Sequence, residues 1–343
     1  MKIGLRGFIL GIVFKRIRLE KMTYGKQMQS GKAFEYALIN KLFSKLSAQT
    51  NVRIIENNQY HIAKECFNLE ESKDQDAYKL HSSFAINLLL DLEPRLSNDI
   101  NESDFLELEI QDDTTGEIGD VRDILIVRAI QKWEIGISAK NNNDAVKHSR
   151  LSMKLNFGEK WIGIGNSQSY FDEIYPVFKE LEEIKRNSDK KKKWVEISDY
   201  QSKYYTPVLQ AFISELTRLN NNNPGVIAPK LVEYLIGKKD FYKIIKRSRN
   251  VEIQAFNFNG SLNKSFDGTN PIYKTPILQF PKTIEKIEFK DNSINTVVVK
   301  FNDEWKISFR IHNASSKVEP SLKFDVRLLD YPKNLFKNIV QVV

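Results

Sequence analysis

The chain has 343 residues, 41% of them hydrophobic and 28% charged, the balance of a soluble globular protein with enough apolar material for a substantial core. Fifty-two Lys and Arg against 44 Asp and Glu leave a formal charge of +8, which favours a polyanionic partner. A single cysteine, Cys66, excludes an internal disulfide and a multi-cysteine zinc site and fits a reducing cytoplasm, while four histidines scattered at positions 61, 81, 148 and 312 argue against a His-rich metal centre.

Residues 7–14 are an apolar run between Arg6 and the basic cluster of Lys15, Arg16 and Arg18. The run lacks a small-residue cleavage site and is too short to span a bilayer, so residues 1–22 read as a non-essential extension with Met22 as an alternative start. From Gly31 the pattern is helical: Phe34, Ala37, Leu38, Leu42 and Leu46 share one face. Glu35 sits at the edge of that face, where a carboxylate is costly unless something pairs with it. Two more helices are expected over 59–69 and 76–92, the second stopped by Pro94. Leu106, Leu108 and Ile110 then alternate with Glu107 and Glu109 as a strand, and residues 112–116 turn it back.

The next stretch carries the chemistry. Asp123 precedes four apolar residues, Ile124 to Val127, and in the following strand Trp133, Ile135, Ile137 and Ala139 alternate with Glu134, Gly136, Ser138 and Lys140. Strand, turn and strand bring Asp123 beside Lys140, completing a three-strand meander. A carboxylate next to an ammonium suits metal-dependent phosphodiester hydrolysis: the carboxylate holds Mg²⁺, and the lysine orients or deprotonates the attacking water and offsets phosphate charge. Asp120 lies in the turn as a reserve ligand. Glu134 is six residues from Lys140, roughly 20 Å at about 3.3 Å per residue, too far to share a metal with it.

After Lys140, residues 141–144 are good N-cap residues ahead of an expected helix over 145–153, whose N-terminus and basic residues Lys147, His148 and Arg150 are placed to hold a phosphate. Glu159 follows. Residues 167–184 read as a helix interrupted by Pro176, 185–193 as a solvated charge run, and 199–219 and 229–236 as helices separated by an Asn-rich break. Residues 241–249 interleave aromatic and basic side chains. From Val251 the pattern turns to strand, with alternation over 285–289, 296–301, 305–311 and 322–328. Phe309 and Ile311 point one way, Arg310 and His312 the other, with Asn313 just beyond; Arg and Asn carry the donor and acceptor pairs that read guanine and adenine edges in the major groove.

The Asp...Ser-x-Lys arrangement resembles the nuclease core known as PD-(D/E)xK, departing from it in lacking the proline and in placing Ser138 where an acidic residue is usual. Such cores often receive a metal ligand from a helix before the first core strand, which points to Glu35; some with Ser-x-Lys supply it from just downstream, which points to Glu159. Three segments in one order, Trp133-Glu134-Ile135-Gly136-Ile137-Ser138-Ala139-Lys140-Asn141-Asn142, Lys147-His148-Ser149-Arg150-Leu151-Ser152 and Phe309-Arg310-Ile311-His312-Asn313-Ala314-Ser315-Ser316, make the chain similar to type II restriction endonucleases of the HaeIII family over about 24–332. The resemblance implies Mg²⁺-dependent double-strand cleavage of DNA at a short palindrome, GGCC in that family, in the cytoplasm, beside a cognate methyltransferase, as a homodimer or as a monomer cutting twice.

The expected fold is α+β, with a restriction-endonuclease-like core over 23–184, a helical basic segment over 185–250 and a β-rich DNA-recognition region over 251–343. Asp123, Lys140, Glu35 and Ser138 are the expected catalytic set, Asp123 with Glu35 or Glu159 the metal ligands, and Asn142, Lys147, His148, Arg150, Arg310, His312 and Asn313 the DNA contacts. A structure-specific nuclease with the same core and a non-catalytic DNA-binding protein are the alternatives.

Overall fold

Amphipathic helices and alternating strands need a shared apolar layer, and the first such layer forms around the Asp123 to Lys140 meander. The computed structural model describes residues 25–97, 104–112, 120–187, 192–312 and 315–342. The extension over 1–22 and Asn313 lie outside the described residues. Helices α1 (Lys26–Leu46), α2 (Asn58–Asn68) and α3 (Ser72–Leu92) bury Phe34, Leu38, Leu42, Ala63, Ala85 and Leu89 against one face of a sheet. That sheet begins with β1 (Val52–Ile55), β2 (Leu106–Ile110), β3 (Ile124–Arg128) and β4 (Trp133–Asn141). Trp133, Ile135, Ile137 and Ala139 of β4 face the helices, as their alternation requires.

The expected helix over 145–153 is instead two short strands, β5 (Ala145–Lys147) and β6 (Arg150–Ser152). Asn143 does accept the Ala145 amide at 3.0 Å, the local bond an N-cap makes. The backbone groups beyond it find partners on a distant strand instead of in a helical turn, because both segments pair with β12 (Ser321–Asp330). The helix N-terminus expected after Lys140 to receive a phosphate is therefore not formed.

Helices α4 (Phe157–Ile162), α5 (Gln168–Asn187), α6 (Thr206–Asn222) and α7 (Ile227–Ile236) build the second apolar layer. α5 runs through Pro176 without ending there. Strands β7 (Phe241–Lys246) and β8 (Asn250–Phe256) follow, so the basic stretch after Ile236 is a strand pair rather than part of a helical segment. β9 (Ile284–Phe289), β10 (Thr296–Phe301), β11 (Lys306–His312), β12 and β13 (Phe336–Gln341) complete the chain. Asn292, Asp303 and Glu304 have positive φ at the two tight reversals flanking β10, a conformation that Asn and Asp tolerate better than most residues.

Two sheets result among the described residues, and the fold is α+β. The first runs β1-β2-β3-β4-β7-β8-β13, parallel at β1/β2 and β4/β7 and antiparallel elsewhere. The second runs β5-β12-β11-β10-β9, with β6 also on β12. Sheet membership thus cuts across the expected boundaries at 184 and 250: β7, β8 and β13 extend the sheet that holds Asp123 and Lys140. Parallel pairing of β4 with β7, about a hundred residues apart, leaves no local trace in the sequence. No helix among the described residues is long and apolar enough to cross a membrane.

Gly136 fixes how the polar face of β4 is covered. A Cβ there would lie 2.1 Å from Cδ of Arg122, whose stem lies across the strand. Gly136→Ala should therefore destabilise the protein by about 1–3 kcal/mol, the range for overpacking a filled site. Urea unfolding measures this, and a loss below about 0.5 kcal/mol would mean that Arg122 moves aside freely.

Candidate active site

Asp123 stands one residue before the first β3–β4 pair, Ile124 with Ile137, which sets it across from Ser138. Its own amide donates to the Ile137 carbonyl at 2.8 Å. One carboxylate oxygen, Oδ2, accepts three hydrogen bonds: from the Ala139 amide at 2.7 Å, Lys140 Nζ at 3.0 Å and Ser138 Oγ at 3.3 Å. Among the described residues Oδ1 accepts none. The side chains of Asp123 and Lys140 are 23% and 22% exposed and border a cavity of about 220 Å³. Period two and the meander thus bring together Asp123, Ser138 and Lys140 as expected.

Glu35, on α1, is buried with Lys32, whose Nζ lies 3.1 Å from its Oε2. Burial pushes its carboxyl up to about 7; Lys32 pulls it down, and the negative charge of Asp123 pushes it up again. Two carboxylates that repel one another, one with an oxygen free of hydrogen bonds, form a donor set that a divalent cation would relieve. Mg²⁺ suits such a set, since it commonly takes one or two carboxylates and fills the remaining positions with water and substrate phosphate. No group of three His, Cys, Asp or Glu able to hold a metal occurs among the described residues, and Asp112 and Asp120 border the cavity beside Asp123.

The other acidic candidates are committed elsewhere. Asp120 binds Arg122 through both oxygens, at 2.8 Å to Nε and 2.6 Å to Nη2. Burial would raise its carboxyl, but these bonds outweigh it and hold it below the usual range. Glu134 accepts from Arg122 at 3.0 Å and from Lys239 at 2.6 Å. Glu159, in the first turn of α4, borders a different cavity with Lys230 and Lys238. The structure brings Glu35 within electrostatic reach of Asp123 and leaves Glu159 on another surface.

The expected DNA contacts divide similarly. Lys147 borders the Asp123 cavity, but its Nζ donates to the Tyr234 carbonyl at 2.9 Å and lies 3.6 Å from the centre of that ring, and burial pushes it down to about 8. His148 borders the same cavity, with Nδ1 3.3 Å from the Phe324 carbonyl oxygen and its ring edge-on to His312 at 6.1 Å. Arg150 donates to Ser321 Oγ at 3.0 Å, and Asn142 takes a left-handed φ of 51° at the end of β4. Arg310 is exposed while Phe309 and Ile311 are buried, as alternation predicts.

Two neighbours of the candidate site are not apparent from sequence reasoning. Arg122 covers Gly136 beside Asp123. Lys243 is the β7 partner of Ser138, and burial, reinforced by the charge of Lys140, pushes its ammonium down to about 8. The signal for β7 was its aromatic and β-branched content, Phe241, Tyr242, Ile244 and Ile245, although Lys243 and Lys246 do not alternate with it.

The family model for the HaeIII restriction endonuclease matches residues 31–332. The chain is 39% identical over 312 residues to the type II restriction enzyme HaeIII of Haemophilus aegyptius, a similarity covering 90% of this chain and 96% of that one. No solved structure matches it.

The placement of the two glutamates generates a direct test. Glu35→Gln keeps shape and removes charge, so titration calorimetry with Mn²⁺ should record at least tenfold weaker binding, whereas Glu159→Gln should leave it unchanged. The reverse pattern would transfer the ligand role to Glu159.

Proposed function

The chain belongs to the HaeIII restriction endonuclease family, so it is a type II, site-specific deoxyribonuclease of double-stranded DNA, and we propose that it cuts at Asp123 and Lys140 with Mg²⁺, at GGCC. Type II restriction endonucleases generally use divalent metal ions, which leaves Mg²⁺ as the finer part of this reading. Family membership sets aside the structure-specific and non-catalytic alternatives. The single observation that carries the proposal is the Asp123 carboxylate whose one oxygen accepts from Lys140 and the Ala139 amide while the other accepts no hydrogen bond among the described residues.

Asp123 and Glu35 would hold the cation, which when bound supplies Lewis-acid stabilisation of charge at the phosphate. Lys140, fixed by Asp123 at 3.0 Å, places a proton-transferring group and a positive charge beside the scissile phosphate. Ser138 donates to Asp123 and limits the rotation of its carboxylate. Because Ser138 occupies the position usually taken by an acid, Glu35 supplies the second negative charge from the helix layer.

Recognition is assigned to the second sheet. His148 and Arg150 follow the cleavage strand directly; Arg310 and His312 lie on β11, and Asn313 beyond it completes the proposed reading set. β12 joins the two groups, since β5, β6 and β11 all pair with it. A palindrome presents two equivalent strands, so one protomer per half-site is the simplest arrangement, with a cognate methyltransferase protecting the same sequence in the cytoplasm.

Asp123→Ala and Lys140→Ala should each slow cleavage on the order of 10²–10⁴-fold, the span associated with a positioned proton-transfer group, while affinity for the same duplex in Ca²⁺ stays within about threefold. Near-normal digestion by either variant would remove that residue from the catalytic set. Sequencing the fragment ends from a plasmid digest tests GGCC.

Arg310→Ala should cost about 1–3 kcal/mol on the cognate site and relax discrimination at one base pair. Binding to GGCC and to singly substituted sites at two salt concentrations measures this. Equal losses on every sequence, with a salt slope reduced by about one, would make Arg310 a phosphate contact instead.

A further inference from the structure

We propose that Lys243 is a positioning residue for cleavage: together with Arg247 it clasps Asp144, and this clasp keeps Lys140 aligned on Asp123 while the second sheet engages DNA. The inference rests on the assignment of the cleavage centre to Asp123 and Lys140.

The geometry begins with the parallel pairing of β4 and β7. Its register, Ser138 with Lys243 and Lys140 with Ile245, continues to Asn141 with Lys246, and the Asn142 amide still donates to the Lys246 carbonyl at 2.8 Å. The chain turns at Asn142, and by Ala145 it is already paired with Arg327 of β12. Only three residues therefore separate the strand that carries Lys140 from the sheet that carries Arg310. Asp144, the last of them, is held twice: its carbonyl accepts from Lys243 Nζ at 3.1 Å, and its carboxylate from Arg247 Nη1 at 3.2 Å and from Nη2. Glu252 backs Arg247 at 3.7 Å.

Lys243 is 4% exposed, and the carbonyl of Asp144 is its one hydrogen-bond partner among the described residues. Burying an ammonium whose one hydrogen bond is to a neutral carbonyl, next to Lys140, is unfavourable, and the charges of Asp144 and Glu252 offset only part of that. An apolar side chain would serve the sheet better if filling space were its only task. What the lysine adds is a hold on the main chain of the link between the two sheets. A displacement of β12 on DNA would otherwise be absorbed at the left-handed Asn142; with Asp144 fixed to β7 and to the turn after it, Lys140 keeps its place.

The test compares Lys243→Met, Lys243→Arg and Asp144→Ala in the full chain, on a plasmid that the unsubstituted protein cuts. Asp144 has a half-exposed side chain, so its variant keeps the question open if Lys243→Met melts early. Single-turnover cleavage in Mg²⁺ should fall at least 30-fold for Lys243→Met and Asp144→Ala, with affinity in Ca²⁺ within threefold. Lys243→Arg, which retains a donor, should recover to within about fivefold, and amide exchange over residues 141–147 should quicken in the first two variants only. Cleavage by Lys243→Met within threefold of the unsubstituted protein, or affinity falling by the same factor as rate, would overturn the clasp. Asp123→Ala run alongside reports on the centre itself: cleavage persisting there would overturn its location, while amide exchange would still judge the clasp.

Discussion

One carboxylate oxygen of Asp123 receives the Ala139 amide, the Lys140 ammonium and the Ser138 hydroxyl, and the geometry of the candidate site depends on that cross-strand grip. It exists only in the register that pairs Ile124 with Ile137. A one-residue slip would turn Ser138 and Lys140 to the helix face and expose the isoleucines, at the cost of the whole apolar layer. The helices that bury Ile135 and Ile137 therefore also fix the Lys140 Nζ to Asp123 distance. Core packing and site geometry are set by the same alternation.

Many of the charges on the same sheet are paired among the described residues. Asp120, Arg122, Glu134 and Lys239 form a chain of ion pairs along β4, and Asp144, Arg247 and Glu252 form another across β7 and β8. Partly buried pairs of this kind are strongly destabilising to break, because the survivor keeps its desolvation penalty. They leave few ways to rearrange around Asp123. Glu35, on α1, is paired with Lys32 at 3.1 Å and is nonetheless a buried carboxylate held high in its titration by burial and by Asp123, a proximity a bound cation would relieve.

β12 gives the fold its functional unity. It accepts β5 and β6, which come straight from the cleavage strand, and β11, which bears Arg310 and His312. The strand that carries Lys140 is therefore joined to the sheet that carries Arg310 through strand pairings, not a long linker. The two sheets are further interlocked by β13, which crosses back from the end of β12 to pair with β8 in the first sheet.

Much of this was legible in the sequence. Period two located β2, β4, β10 and β11, the apolar run after Asp123 located β3, and the apolar spacing of Phe34, Leu38 and Leu42 located α1, because burial is a local pattern. The pairing of Asp123 with Lys140 followed from the same meander. What the sequence did not carry was the fate of residues whose partners lie far along the chain. Asn143 makes the bond of a helix cap, yet Ala145 to Lys147 is a strand, because β12 offers backbone partners from about 180 residues away. Lys147 borders the Asp123 cavity yet is seated on Tyr234, Glu134 is paired with Arg122 and Lys239, and Glu159 borders a different cavity. By itself the sequence determined which residues alternate, and hence the meander and its Asp-Lys end. Only the tertiary structure decided that β7 lies beside β4, that Glu35 rather than Glu159 approaches Asp123, and that Lys243 holds Asp144, since non-local strand order and charge pairing are chosen by the packed whole and leave no periodicity in the chain.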